Sequence, residues 1–166
     1  MTRLMLDGHY IFKKTPWLKW SELLYGLERG YVDEGGVIDY VCDALTIDAP
    51  NEALEIASLE PQEQYSVRNI LKTLKDQDSR EDLDLAEPWL FLLLSFVFEN
   101  KSKYTDPLGV AEELYAEFDY PEEVAPIIRY MPLADGAEGC EELLFNNWKN
   151  ILSSYETRLE ACNRAP

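Results

Sequence analysis

The sequence predicts an all-α protein: a compact multi-helix bundle, or stacked helical hairpins, of about eight helices with at most a short N-terminal extended arm. Three observations carry this. Apolar residues recur three and four apart in one segment after another, the period of a half-buried helix. Residues 89–98 (WLFLLLSFVF) hold a single polar side chain, Ser95, directly behind Pro88. Clusters of Pro, Gly and Asp separate these segments, and the leucine triplet and proline start of the apolar run weigh against a buried strand.

The apolar run sets the architecture. Pro88 suits the first turn of a helix, where a missing N–H costs nothing. A helix apolar on every side must be surrounded by protein or by lipid. Ten residues rise about 15 Å, about half of a bilayer core, so the run reads as the buried central helix of a soluble domain.

The other elements follow in order. In residues 1–14, Asp7-Gly8 between short apolar runs is a hairpin-like signal, compatible with an extended arm or a frayed tail. Residues 15–166 are expected to form a single helical domain. Thr15 caps a helix with Pro16 in its first turn; Trp17, Trp20, Leu24, Leu27 and Tyr31 form its stripe and Gly30 ends it. Asp33 caps the next, with Val37, Val41, Ala44 and Leu45 inward, and the short connection predicts an antiparallel hairpin of the two. Pro50-Asn51 opens a third helix through Leu54, Ile56, Ala57 and Leu59. Pro61 begins a fourth with Val67, Ile70, Leu71 and Leu74 inward. Residues 76–84 read as a charged linker before the central helix. Asp106-Pro107 starts a sixth helix with Leu108, Ala111, Leu114, Tyr115 and Phe118 inward. Residues 121–130 form a short helix divided by Pro126, residues 131–139 a loop, and residues 141–160 a last helix with the stripe Leu144, Trp148, Ile151, Leu152, Tyr155 and Leu159.

Charge narrows the partners. Of the 166 residues, 32 are acidic and 15 basic, a formal charge of −17. Such a balance disfavours nucleic acid and anionic membrane surfaces and favours a basic protein. The three cysteines, Cys42, Cys140 and Cys162, are widely spaced with no Cys-x-x-Cys, which fits free thiols in a reducing cytoplasm. No secretory signal is expected, and no run is long enough to span a membrane.

Acids are also unevenly placed. Residues 30–67 hold nine acids and no base, and residues 104–148 hold eleven acids and one base, Arg129. Glu113 and Glu117, four apart, repel by a few tenths of a kcal/mol. A surface selected for solubility alone would intersperse bases there. The tract is therefore a candidate binding face, with Glu112, Glu113, Glu117, Asp119, Tyr120, Glu122 and Glu123 as its contact residues. Tyr120, at a helix break, is the aromatic expected at the interface, while Tyr115 and Phe118 belong to the core stripe.

Motifs for catalysis are absent. No Gly-x-Ser-x-Gly elbow, Gly-rich phosphate loop or calcium loop occurs. The single histidine, His9, falls in the N-terminal arm, which excludes histidine-based zinc and di-iron sites on this reading; no cofactor and no metal are expected.

Residues 20–43 (WSELLYGLERGYVDEGGVIDYVCD), 51–59 (NEALEIASL), 89–107 (WLFLLLSFVFENKSKYTDP), 111–132 (AEELYAEFDYPEEVAPIIRYMP) and the Trp148-Lys149-Asn150 of the last helix resemble a bacterial family, domain of unknown function 2247. The resemblance runs from Pro16 onward and leaves the first fifteen residues outside. It implies a small all-helical cytoplasmic protein with no catalytic residues to carry over. Similar acidic helical proteins stand beside secreted toxins, which implies an immunity role. The expected function is thus non-catalytic: an immunity-type factor that neutralises a basic toxin or enzyme through its acidic surface. The alternatives are a DNA mimic that inhibits a nucleic-acid-binding protein, and a structural or assembly protein.

Overall fold

The structure is a computed structural model that describes residues 4–75, 85–129 and 141–164, the last three of these as backbone only. Among the described residues every regular element is helical: eight α-helices and three 3-10 segments. The chain divides between Trp89 and Leu90 into two compact units. The predicted linker at 76–84 and loop at 131–139 lie outside the described residues.

The first unit begins differently from the hairpin expectation. Asp7-Gly8 does not turn a strand. The Asp7 side chain accepts the His9 N–H at 2.8 Å and caps a helix, α1 (Gly8–Lys14). The same short acceptor that favours a turn also favours an N-cap, and here the cap prevails because Ile11 is buried by the helix that follows. Thr15 correspondingly ends a helix instead of starting one: its buried hydroxyl donates to the Ile11 carbonyl at 2.7 Å. The next helix, α2 (Trp20–Arg29), starts later, with the Lys19 N–H held by Glu22 Oε1 at 2.8 Å. Trp17 therefore lies outside α2, and Trp17 and Trp20 are only half-buried, while Leu23, Leu24 and Leu27 form the inner face. Gly30 ends α2 with φ 82°, a left-handed value that glycine adopts without penalty.

Asp33 caps α3 (Glu34–Ala44) by accepting the Gly36 N–H at 2.7 Å, as its position before the Val37/Val41 stripe predicts. The pairing of helices is not the expected one. Instead of α2 and α3 forming the main hairpin contact, α3 lies chiefly against α1, and α2 against α5 (Val67–Lys75). Two glycines explain the first choice: a Cβ on Gly8 would stand 1.9 Å from the Gly36 carbonyl oxygen, so the backbones of α1 and α3 meet where no side chain intervenes. Helix α4 (Asn51–Ala57) buries Ala53 and Ile56, leaving Leu54 exposed. Pro61 begins a 3-10 segment, Pro61–Ser66, that runs straight into α5, whose Val67, Leu71 and Leu74 are fully buried.

Helix α6 (Glu87–Glu99) is the apolar run, and it crosses the division between the units. Leu92, Leu93, Leu94 and Val97 have no exposed surface, and Ser95 is buried with them. Its Trp89, in the first unit, donates its indole N–H to the Glu22 carbonyl at 2.7 Å, and its ring fills the notch left by Gly26. In the second unit, Phe98 meets Trp148 of α8 (Glu141–Arg164) with centroids 5.5 Å apart. Leu144, Trp148, Tyr155 and Leu159 make the buried stripe of α8 as its spacing predicts, with Ile151 and Leu152 half-buried. No helix among the described residues is long and apolar enough to cross a membrane.

Candidate partner-binding face

The face is built on α7 (Pro107–Glu117), in the second unit. Asp106 caps it by accepting the Gly109 N–H at 3.2 Å, and Pro107 occupies the first position. Leu108, Ala111, Leu114 and Tyr115 are buried. Helical spacing then leaves Glu113 and Glu117, one turn apart, on the outside, and both are exposed.

After Glu117 the backbone does something unusual. Asp119 and Tyr120 have φ values of 63° and 56°, two successive non-glycine residues in the left-handed region. Each costs about 1–2 kcal/mol relative to ordinary backbone. Local bonds hold the pair: the Asp119 N–H donates to Ala116 O at 3.2 Å and the Tyr120 N–H to Tyr115 O at 2.8 Å. The turn sets the Tyr120 ring edge-on to buried Tyr115, 5.3 Å between centroids, with 58% of Tyr120 left exposed. Pro121 then restarts the chain as a 3-10 segment, Glu122–Ile127, whose Val124 and Ile127 are buried. Asn147 of α8 secures it by donating to the Pro126 carbonyl at 3.1 Å. Glu122 and Glu123 stay exposed in its first turn.

The seven predicted contact residues therefore fall into two groups. Glu113, Glu117, Asp119, Tyr120 and Glu122 follow one another along exposed chain across the helix break. Glu112 instead is held by Arg129, whose Nε and Nη2 reach its two oxygens at 2.8 and 3.2 Å. The same guanidinium grips Asp106 at 3.1 and 3.0 Å. Glu112 first and Asp106 second push the Arg129 pKa further up, and Arg129 with the Gly109 N–H holds the Asp106 carboxyl below its usual value. Glu123 stands 3.6 Å from Arg158 of α8. Sequence reasoning missed the Arg129 clamp, although a lone base among eleven acids is the residue they would be expected to capture.

A shallow depression of about 410 Å³ opens beside this face, lined by Lys103, Tyr104, Thr105, Asp106, Gly109, Val110 and Glu113. The one described cysteine side chain, Cys42, lies in the other unit as a free thiol, its pKa raised by burial and then by Asp39 and Asp43. A shift in that direction disfavours the thiolate, the reactive form.

The family model for an uncharacterized protein conserved in bacteria (DUF2247) matches residues 9–156. The chain belongs to this DUF2247 family. The match begins at His9, so it takes in most of α1, which the resemblance had left outside. No curated protein and no solved structure matches the chain.

Proposed function

We propose that this DUF2247 protein is a non-catalytic, immunity-type factor that captures and neutralises a basic protein, a toxin or an enzyme, through the face formed by Glu113, Glu117, Asp119, Tyr120 and Glu122. The observation that carries it is the strained turn at Asp119 and Tyr120. Strained backbone of this kind tends to mark functional positions, and here it presents a half-exposed aromatic between carboxylates. Such a pairing suits lysine and arginine: the carboxylates attract the cation, and the ring offers a rigid apolar body and a cation–π face. Arg129 holds Glu112 and Asp106 at one side of this face. A cytoplasmic setting is supported by the free Cys42 thiol.

The test uses two baits in extract of the source bacterium at low salt. One is the natural chain; the other carries Glu113→Lys, Glu117→Lys and Glu122→Lys with Asp119→Asn, since asparagine tolerates the left-handed turn. The natural bait is expected to retain a basic protein in one-to-one ratio, and the reversed bait to lose it. Equal recovery of that protein from both baits would overturn the assignment of the face.

A further inference from the structure

A second cluster lies in the first unit, far along the chain from that face and independent of the function proposed for it. His9, expected in a loose arm, is in the first turn of α1 and faces α3. Its Nδ1 is 2.6 Å from Asp43 Oδ2, and its Nε2 is 3.8 Å from Asp39 Oδ2. Asp39 and Asp43 stand one helical turn apart, so one face of α3 offers both carboxylates. Asp7 spends one oxygen on the His9 N–H and has a second to offer. One ligand atom each from Asp7, His9 and Asp39 can be chosen so that all lie within 4.8 Å of one another.

We propose that Asp7, His9 and Asp39 bind one divalent transition-metal ion of the zinc type. Ligands about 2.1 Å from a tetrahedral zinc stand about 3.4 Å apart, close to the separation of His9 Nε2 and Asp39 Oδ2. Asp43 supplies what a ligating histidine ordinarily has: a carboxylate on the other ring nitrogen, which fixes the ring and directs Nε2 to the metal. The frame is rigid where it has to be, because the Gly8 backbone is pressed on that of Gly36 and no Cβ could be accommodated between them. The adjustable parts are the side chains, with 58% of His9 and 48% of Asp39 exposed. One imidazole among oxygens selects zinc or nickel over magnesium and calcium, which prefer oxygen ligands only. The exposed side leaves the fourth position to water.

The test is calorimetric titration of the full chain with zinc chloride, and separately with magnesium chloride. The natural chain is expected to bind one zinc with a saturable isotherm and to show no saturable magnesium binding. His9→Gln and Asp39→Asn should weaken zinc at least 30-fold, Asp43→Asn about 10–100-fold, and Asp48→Asn, an acid of the same tract outside the cluster, not at all. Zinc should also raise the melting temperature of the natural chain and leave that of His9→Gln unchanged. Should a variant fail to fold, nitrogen NMR of the natural chain decides: one equivalent of zinc must shift the His9 Nε2 resonance. An isotherm without saturation, equal zinc affinity in His9→Gln, or an unmoved Nε2 resonance would each overturn the site and reduce the cluster to an acidic surface.

Discussion

Replacing Gly26 by alanine sets helix propensity against packing, and the two predict opposite signs. Propensity alone favours alanine in a helix interior by about 0.8–1.0 kcal/mol. A Cβ at Gly26, however, would stand 2.0 Å from Cζ2 of Trp89, 2.3 Å from Cε2 and 2.5 Å from Cη2. Comfortable carbon contacts begin at about 3.5 Å, so the ring would have to retreat by more than an ångström. Trp89 has no exposed surface to retreat into, and the 2.7 Å bond from its indole N–H to the Glu22 carbonyl tethers it. Overpacking of this kind costs about 1–3 kcal/mol, and loosening the buried hydrogen bond adds about 1 kcal/mol or more. After the propensity gain is subtracted, Gly26→Ala should destabilise the protein by about 1–3 kcal/mol. Urea unfolding followed by tryptophan fluorescence and by circular dichroism measures it. Gly35→Ala is the matched control: its Cβ would meet the end of the flexible Gln64 side chain at 3.3 Å and Asp33 Oδ1 at 3.6 Å, an ordinary contact, and stability should hold or rise. A Gly26→Ala midpoint equal to or above that of the natural chain would refute the packing account of α2 and Trp89.

Other outcomes follow from the same structure. In a Trp89→Phe background Cζ2 and Cη2, two of the three clashing atoms, are gone, so the penalty of Gly26→Ala should shrink by about 1 kcal/mol in a double-mutant cycle; an unchanged penalty would mean the indole is not the obstacle. Leu93→Ala, at a position with no exposed surface, should cost about 2–5 kcal/mol in urea unfolding, and a loss under 1 kcal/mol would contradict its burial. Arg129→Met removes the partner of Asp106, 55% exposed, and of Glu112, 21% exposed; stability should fall, chiefly through Glu112, and the loss should diminish in high salt. Asp106 has a folded-state pKa below its unfolded value near 3.8, so it contributes stability above that value and loses it as pH falls through the lower folded one. Asp106→Asn should therefore flatten the acid side of the stability profile below about pH 4, and an unaltered acid limb would count against the clamp.

Most of the fold was legible because its signals are local. The α6 run, the Asp33 and Asp106 caps, the Gly30 stop and the α8 stripe each declare themselves within a few residues. The errors arose where one local signal serves two structures. Asp-Gly can turn a hairpin or open a helix, and Thr-Pro can start a helix or follow one; the burial of Ile11 and Thr15 decides between them, and burial is a property of distant chain. Helix pairing is hidden for the same reason, since the Gly8–Gly36 approach joins positions 28 residues apart. The acidic face was visible as a charge tract and a helix break. The Arg129 clamp and the His9 cluster were not, because each depends on which side chains the fold brings together; the left-handed turn was not, because neither Asp119 nor Tyr120 is a glycine that would signal it.

An acidic, tyrosine-bearing face that captures a basic protein should draw that partner in by charge. Its most direct test is the association rate with the captured partner, followed by stopped flow from about 30 to 300 mM salt for the natural chain and for Glu113→Lys/Glu117→Lys. Electrostatic steering predicts a rate that falls tenfold or more across that range, and a charge-reversed variant that is slow at low salt and barely responds to more. A rate that ignores both salt and charge reversal would contradict the claim.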